Sequence, residues 1–381
     1  MTTAAPGVVI VGSGLGGYTL ARELRRLDRD VAVTVITADG GEVYSKPMLS
    51  AAFAQGKTIQ TLAQKSAGQY AEEQGISVMT RCRVAAIDRQ ARRLILDGGK
   101  TLAYGRLVLA VGADPRPYRV DGSENVTIHT VNDLDDYAVW RDGLIPGGRV
   151  LLIGAGLIGA EFANDLATAG QRVAVVDPAP WPLGRLLPRE LGDEMARALE
   201  GIGVALHLGR SLVRVEPGRA ILDDGAVIDF DKALSAIGLV PRVALAAAAG
   251  LAVDKGIVVD RLLRTSDPDI FALGDCAQTE AGPLPFVLPL MAEAKALAAT
   301  LAGTGTPLRL PALPVAVKTP ALPVAVCPPA PGAVGEWVVE GDGRDRKALF
   351  IGADGRRLGF ALSGGKAAER QSLAKEMPDL L

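Results

Sequence analysis

VVIVGSGLGG, Val8 to Gly17, is the stretch whose reading decides the fold. Val8 to Val11 is an unbroken β-branched run, as expected of a parallel strand buried on both faces. It leads into Gly12, Gly14 and Gly17, a GxGxxG pattern, and Tyr18 to Leu27 follows with Leu20, Leu24 and Leu27 at helical spacing. Strand, glycine turn and helix in this order predict a seat for a pyrophosphate at the helix N-terminus. The next strand, Val31 to Ile36, leads to Asp39, 22 residues beyond Gly17, the carboxylate expected on the ribose of the bound dinucleotide. The pattern then recurs. Arg149 to Ile153 reads as a strand, Gly154, Gly156 and Gly159 as a second GxGxxG, and Glu161, Phe162, Leu166 and Ala167 as part of its helix. Arg172 to Val176 is the following strand, and Asp177 stands 18 residues after Gly159. A carboxylate there suits the adenosine ribose of a nicotinamide nucleotide and disfavours a 2'-phosphate, so NADH is expected over NADPH. Arg185 is the nearest following cation that could take a phosphate. Glu161, read as lying in the first turn of its helix, either complements the macrodipole or orients the nicotinamide.

A third stretch closes the arrangement. GLAVDKGIVVDRLLRTSDPDIFALGDCA, Gly250 to Ala277, ends in an apolar strand that delivers Gly274 and Asp275 into a turn. There Gly lets the backbone approach a ligand, and Asp can accept from a sugar-like hydroxyl. Between the fingerprints, YSKPMLS, Tyr44 to Ser50, places Lys46 beside Pro47 in a loop where an ammonium could stabilise negative charge on a flavin. No cysteine occurs from residue 40 to 55, so a redox thiol in this loop is not expected. Residues 57 to 75 read as helical, Ile76 to Met79 and Val84 to Asp88 as strands, and Arg92 to Leu96 with Thr101 to Tyr104 as a hairpin. Leu107 to Val111 is a buried strand entering AVGADPRP, Ala110 to Pro117, where Gly112 permits close approach and the prolines mark a crossover. Strands near Ala205 to Leu208, Arg219 to Leu222, Ala226 to Phe230 and Ala233 to Gly238 close the second unit. A helix is expected to open near Pro289. Beyond residue 310, ALPVAV occurs at Ala312 to Val317 and again at Ala321 to Val326, a paired-strand motif with proline at each strand start. Glu336 to Glu340, Lys347 to Ile351 and Leu358 to Leu362 read as strands, and Lys366 to Glu376 as a terminal helix.

The 381 residues suffice for two or three domains. With 49% hydrophobic and 22% charged residues and a formal net charge of −2, the chain reads as globular and not as a nucleic-acid binder. Cys82, Cys276 and Cys327 form no CxxC pair, so neither a metal site nor a disulfide framework is predicted. No apolar run reaches the length of a spanning helix and no room is seen for a signal segment, so a cytoplasmic location is expected.

The motifs GSGLGG, YSKPMLS, AVGADPRP, GAGLIGAEFANDLA and FALGDCA cover nearly the whole chain. In this order they resemble the two-dinucleotide-binding-domain flavoproteins, and within them the rubredoxin reductases. ITADGGEVYSKPMLS, Ile36 to Ser50, PLMAEAKALAATLAG, Pro289 to Gly303, and VKTPALP, Val317 to Pro323, carry the nearer likeness. The resemblance implies an α/β fold of two Rossmann-like, glutathione-reductase-like dinucleotide-binding domains with a small C-terminal α+β domain. It divides the chain at 1–115 and 246–310 for FAD, 116–245 for NAD(H) and 311–381 for the C-terminal domain. FAD would be held by Gly12, Gly14, Gly17, Asp39, Lys46, Val84, Gly112, Asp275 on the ribityl chain, and Lys318. NADH would be held by Gly154, Gly156, Gly159, Glu161 and Asp177. Lys46, Glu161 and Lys318 are the expected catalytic residues. The implied acceptor is rubredoxin, a small acidic protein, met by Lys46, Lys318 and Arg116 as a basic rim on a monomer or weak dimer; an alkane hydroxylase is the implied consumer of the electrons. The rivals are a ferredoxin reductase component of an oxygenase and a nicotinamide-sensing flavoprotein resembling apoptosis-inducing factor.

Overall fold

The computed structural model describes residues 7–330 and 332–381. Val8–Val11 is buried at all four positions and forms the middle of a five-stranded sheet. Its neighbours are Val33–Ile36 on one side and Arg106–Leu109 on the other, both parallel to it. Ser77–Met79 extends one edge, and Ile270–Ala272 pairs parallel with Arg106–Leu109 at the other. Helices Leu15–Leu27 and Val287–Leu301 pack together over this sheet, with Leu20, Leu24, Ala294 and Leu297 fully buried in one core.

A second five-stranded sheet repeats the design, with Arg149–Ile153 between Arg172–Asp177 and Lys232–Ser235, all parallel. The chain passes between the two sheets through one antiparallel ribbon, Ala113–Pro115 against Leu239–Pro241. Gly112 and Gly238 precede its two strands with φ of +72° and +107°, a conformation that glycine adopts without strain.

The two ALPVAV copies pair antiparallel, Val315 opposite Val326 and Val317 opposite Val324. They join Arg357–Ser363, Asp345–Gly352 and Gly335–Asp342 in a five-stranded sheet. One face of that sheet, through Leu322, Val324, Val326, Ala348 and Ala361, shares a core with Phe162, Ala163 and Leu166 of the second fingerprint helix. The other face is closed by Leu373 and Met377. The protein is therefore α/β, two dinucleotide-binding units plus a C-terminal α+β unit.

Some elements differ from expectation. The terminal helix is a 3-10 turn, Gly364–Glu369, followed by a short α-helix, Arg370–Ala374, since Gly364 and Gly365 oppose α-helix at its start. Residues 57–75 hold two short capped helices, Ile59–Leu62 and Ala67–Gln74, in place of one. The predicted hairpin gains Val84–Asp88 as a third strand, with Val84 opposite Leu96. The helix near Pro289 opens at Val287, with Pro289 in its first turn.

Candidate functional site: two glycine-rich seats and a buried polar seam

Each fingerprint uses its outer glycines for packing and its middle one for access. A Cβ on Gly17 would lie 1.9 Å from the Gly12 carbonyl oxygen, and one on Gly12 would lie 2.2 Å from that of Ala110. Gly159 and Gly154 meet the same limits, at 1.9 Å from Gly154 O and 2.8 Å from Ala236 O. Beside Gly14 and Gly156 a Cβ would meet nothing within 4 Å. Both of these glycines are the N-caps of their helices and supply no side-chain cap, so the first-turn N–H groups point into open space. That is the geometry an anionic pyrophosphate requires, and the residues fit FAD and a nicotinamide nucleotide.

Asp39 and Asp177, the carboxylates that follow the two fingerprints, are held differently. Ser13 Oγ donates to Thr37 Oγ1 at 2.8 Å, and Thr37 Oγ1 donates to Asp39 Oδ1 at 2.6 Å. The Gly41 N–H also donates to Asp39 Oδ1, at 2.9 Å, so the other oxygen is left for a ligand. In the second unit Asp177 Oδ2 accepts from Ala155 N at 2.6 Å and Oδ1 from Ala179 N at 2.7 Å. Asp177 thus braces the second glycine loop.

Asp275 sits in a 3-10 turn, Gly274–Cys276, directly after the edge strand. Its carboxylate is half-buried and accepts no hydrogen bond among the described residues. Burial pushes its pKa up, and the Lys46 ammonium opposes that shift. Lys46 itself is desolvated, which lowers its pKa. It donates to Asn132 Oδ1 at 2.6 Å, and Asn132 in turn donates to the Ala113 carbonyl at 2.9 Å.

A buried polar seam lies along one face of helix Leu157–Thr168. Glu161 is completely buried. Its Oε1 accepts from the Lys318 backbone N–H at 2.9 Å, and its Oε2 accepts from Ser50 Oγ at 2.5 Å and from the Lys318 ammonium. Asn164 Oδ1 accepts from Ala321 N at 2.9 Å. Asp165, whose pKa burial pushes up, accepts from Phe53 N at 2.8 Å and Ala54 N at 3.0 Å. EFANDLA is therefore a clamp that ties the Lys46 loop and the C-terminal sheet to one helix.

Glu161 corrects an expectation: it lies in the second helical turn, and its carboxylate points sideways into this clamp, so macrodipole complementarity does not explain it. The basic rim is also corrected. Lys46 and Lys318 turn inward to Asn132 and Glu161, and of the three cations only Arg116 is exposed. Val84 is half-buried against the first core, and Gly112 faces open space. Arg185 is exposed.

Sequence reasoning passed over Asn132, Ser50 and Glu293. Glu293 is 2% exposed and its Oε2 accepts from Gly274 N at 2.6 Å. Burial pushes its pKa up to about 7, and the neighbouring Asp275 adds to the shift. Its position three after Leu290 and four before Leu297, on the apolar face, was the available signal.

Residues 6–296 match the model of the family described as pyridine nucleotide-disulphide oxidoreductase, and residues 307–377 match the rubredoxin binding C-terminal domain. The chain is 43% identical to a rubredoxin-NAD(+) reductase of Alcanivorax borkumensis, over 98% of this chain and 99% of that protein. It is 39% identical to the nitric oxide reductase FlRd-NAD(+) reductase of Aeromonas salmonicida, over 97% and 96%. Among solved structures it is similar to the ferredoxin reductase for the CYP199A2 system from Rhodopseudomonas palustris. There the TM-score is 0.88 at 28% identity, covering 97% of this chain and 95% of that one.

Proposed function

The chain belongs to the pyridine nucleotide-disulphide oxidoreductase family, and on that premise we propose that it is an FAD-dependent reductase taking two electrons from NADH and passing them singly to rubredoxin. The observation that carries the acceptor is the rubredoxin-binding match over residues 307–377. That unit places Lys318 on Glu161 of the second fingerprint helix. The division into 1–115 with 246–310, 116–245 and 311–381 belongs to the same reading, as does an alkane hydroxylase as consumer. A reducing cytoplasm suits the three unpaired cysteines.

Bound flavin supplies the change from a two-electron donor to one-electron acceptors. The N–H groups after Gly14 would hold its pyrophosphate, Asp39 its ribose and Asp275 its ribityl hydroxyls. Lys46 brings a desolvated ammonium to the same place as Asp275, where it favours added negative charge. Gly156 and Asp177 would seat NADH. Glu161 and Lys318 set the distance between the two seats by clamping the Lys46 loop to the second helix. No thiol serves as intermediary. Cys276, the cysteine beside Asp275, is fully buried, donates to the Leu273 carbonyl at 3.3 Å, and has its pKa pushed up to about 12 by burial.

Anaerobic stopped-flow reduction with NADH, followed by mixing with rubredoxin, tests this reading. Rapid bleaching and prompt recolouring by rubredoxin are expected. A long-lived charge-transfer band without turnover would instead favour a sensing flavoprotein. The likeness to a ferredoxin reductase favours a second reading, and a ferredoxin that reoxidises the protein faster than rubredoxin would establish it.

A further inference from the structure

Glu293 is a buried carboxylate that no step above uses. It projects from the second turn of helix Val287–Leu301 under the turn Gly274–Cys276, where its only hydrogen bond among the described residues comes from Gly274 N, at 2.6 Å. Among the described residues no cation acts on it, although it is 2% exposed. The groups that face it are few. The turn brings Asp275, a second carboxylate that accepts no hydrogen bond among the described residues, and the thiol of Cys276. Helix Leu15–Leu27 meets the same helix through Gly16 against Leu290 and Thr19 against Met291, neither of which titrates. Lys46 acts on Asp275. Two carboxylates, one buried and one half-buried, thus lie close enough to act on each other with one ammonium beside Asp275, and adding a further negative charge there disfavours keeping both ionised.

We propose that Glu293 is a positioning residue that takes up a proton from solvent when two electrons enter a flavin seated at Gly274–Asp275, and returns it when they leave. This rests on the reading of that seat as the flavin site. The balance is simple. NADH loses a hydride, two electrons and one proton, to the flavin; separately, the Glu293 carboxylate gains one solvent proton and becomes a carboxylic acid. When two one-electron acceptors have drawn the electrons away, both protons go back to solvent. Glu293 keeps its hydrogen bond to Gly274 throughout, since the second oxygen is available for the proton.

The test is the pH dependence of the midpoint potential of the full-length flavoprotein, parent against Glu293→Gln. Glutamine retains an acceptor for Gly274 N and removes the titration. Below about pH 7 Glu293 is already protonated, so the two potential–pH lines should run parallel. Above it the parent should take up one more proton per two electrons than the variant, and the lines should diverge. An infrared difference spectrum of the parent, reduced minus oxidised at about pH 8, needs no variant and should gain a protonated-carboxyl band that shifts in heavy water. Lines parallel at every pH, or no such band, would overturn the proposal while leaving the flavin reading intact. A chain that binds no reducible flavin would overturn both.

Discussion

Lys318 holds Glu161 twice, through its backbone N–H to one carboxylate oxygen and through its ammonium to the other. The pair joins the first strand of the C-terminal sheet to the second fingerprint helix across 157 positions of sequence. Ser50 adds a third donor, so the carboxylate is fully satisfied although completely buried. Removing the ammonium leaves a buried charge with two neutral donors. Lys318→Met should cost about 2 to 3 kcal/mol in urea unfolding, less than a fully buried pair because the Lys318 side chain is 31% exposed. Glu161→Gln combined with Lys318→Met should recover most of the loss. If Lys318→Met unfolds at the parent's midpoint, the clamp is not structural.

Asp275 should behave in the opposite way. Its carboxylate accepts no hydrogen bond among the described residues, so Asp275→Asn should leave the flavin-free chain at least as stable as the parent. The same change should weaken flavin binding by about 1 to 3 kcal/mol, the scale of a lost hydrogen bond to a charged group. Flavin release during dialysis measures this, and unchanged retention would reduce Asp275 to a turn residue.

Asp177 braces the second glycine loop and, in the proposed reading, selects between nucleotides, and the two roles can be separated. The parent should prefer NADH, since a 2'-phosphate beside a carboxylate is repelled. Asp177→Asn keeps one acceptor for the backbone and should narrow the preference with little loss of kcat/KM for NADH. Asp177→Ala frees both Ala155 N and Ala179 N and should lower kcat/KM for NADH by about tenfold, roughly 1.4 kcal/mol. Equal use of both nucleotides by the parent would contradict the assignment.

Glu293 also predicts a pH dependence of stability. Its folded pKa, about 7, lies above the ordinary value of 4.5, so the native state binds the proton more tightly than the unfolded chain. Its contribution is fully present below about pH 4.5 and is lost as pH rises through about 7, amounting to at most about 3 kcal/mol. Relative to the parent, Glu293→Gln should therefore gain thermal stability between about pH 5 and 8. A difference in Tm that stays constant over that range would show that Glu293 does not titrate there.

Both fingerprints were legible because their pattern is local: a buried strand, three glycines and a helix follow one another without a break, and the last glycine of each, Gly17 and Gly159, packs on the first glycine of its own turn. The paired ALPVAV strands were legible for the same reason, with three residues between copies. What stayed hidden depends on long-range contact. Nothing near Lys46 announces Asn132, 86 positions away, and nothing near Asp165 announces the Phe53 and Ala54 amides. For Glu161 the dipole alternative fails, because a carboxylate just inside a helix ordinarily complements the dipole, whereas here three donors from other segments decide where it points. The rim failed likewise, since two of its three cations had partners that only the folded chain supplies.

The first sheet takes its edge strand, Ile270–Ala272, from the far side of the whole second unit. During synthesis Arg106–Leu109 therefore leaves the ribosome with one edge unpaired, while the inserted unit, whose central strands all lie between residues 149 and 235, can complete itself first. Asp275 follows three residues behind the missing strand. The turn proposed to contact the flavin is thus among the last parts of the first nucleotide-binding unit to be synthesised. On the proposed reading, ribosome-arrested chains of increasing length should acquire bound flavin only after that strand has emerged and closed the sheet that the inserted unit had held open.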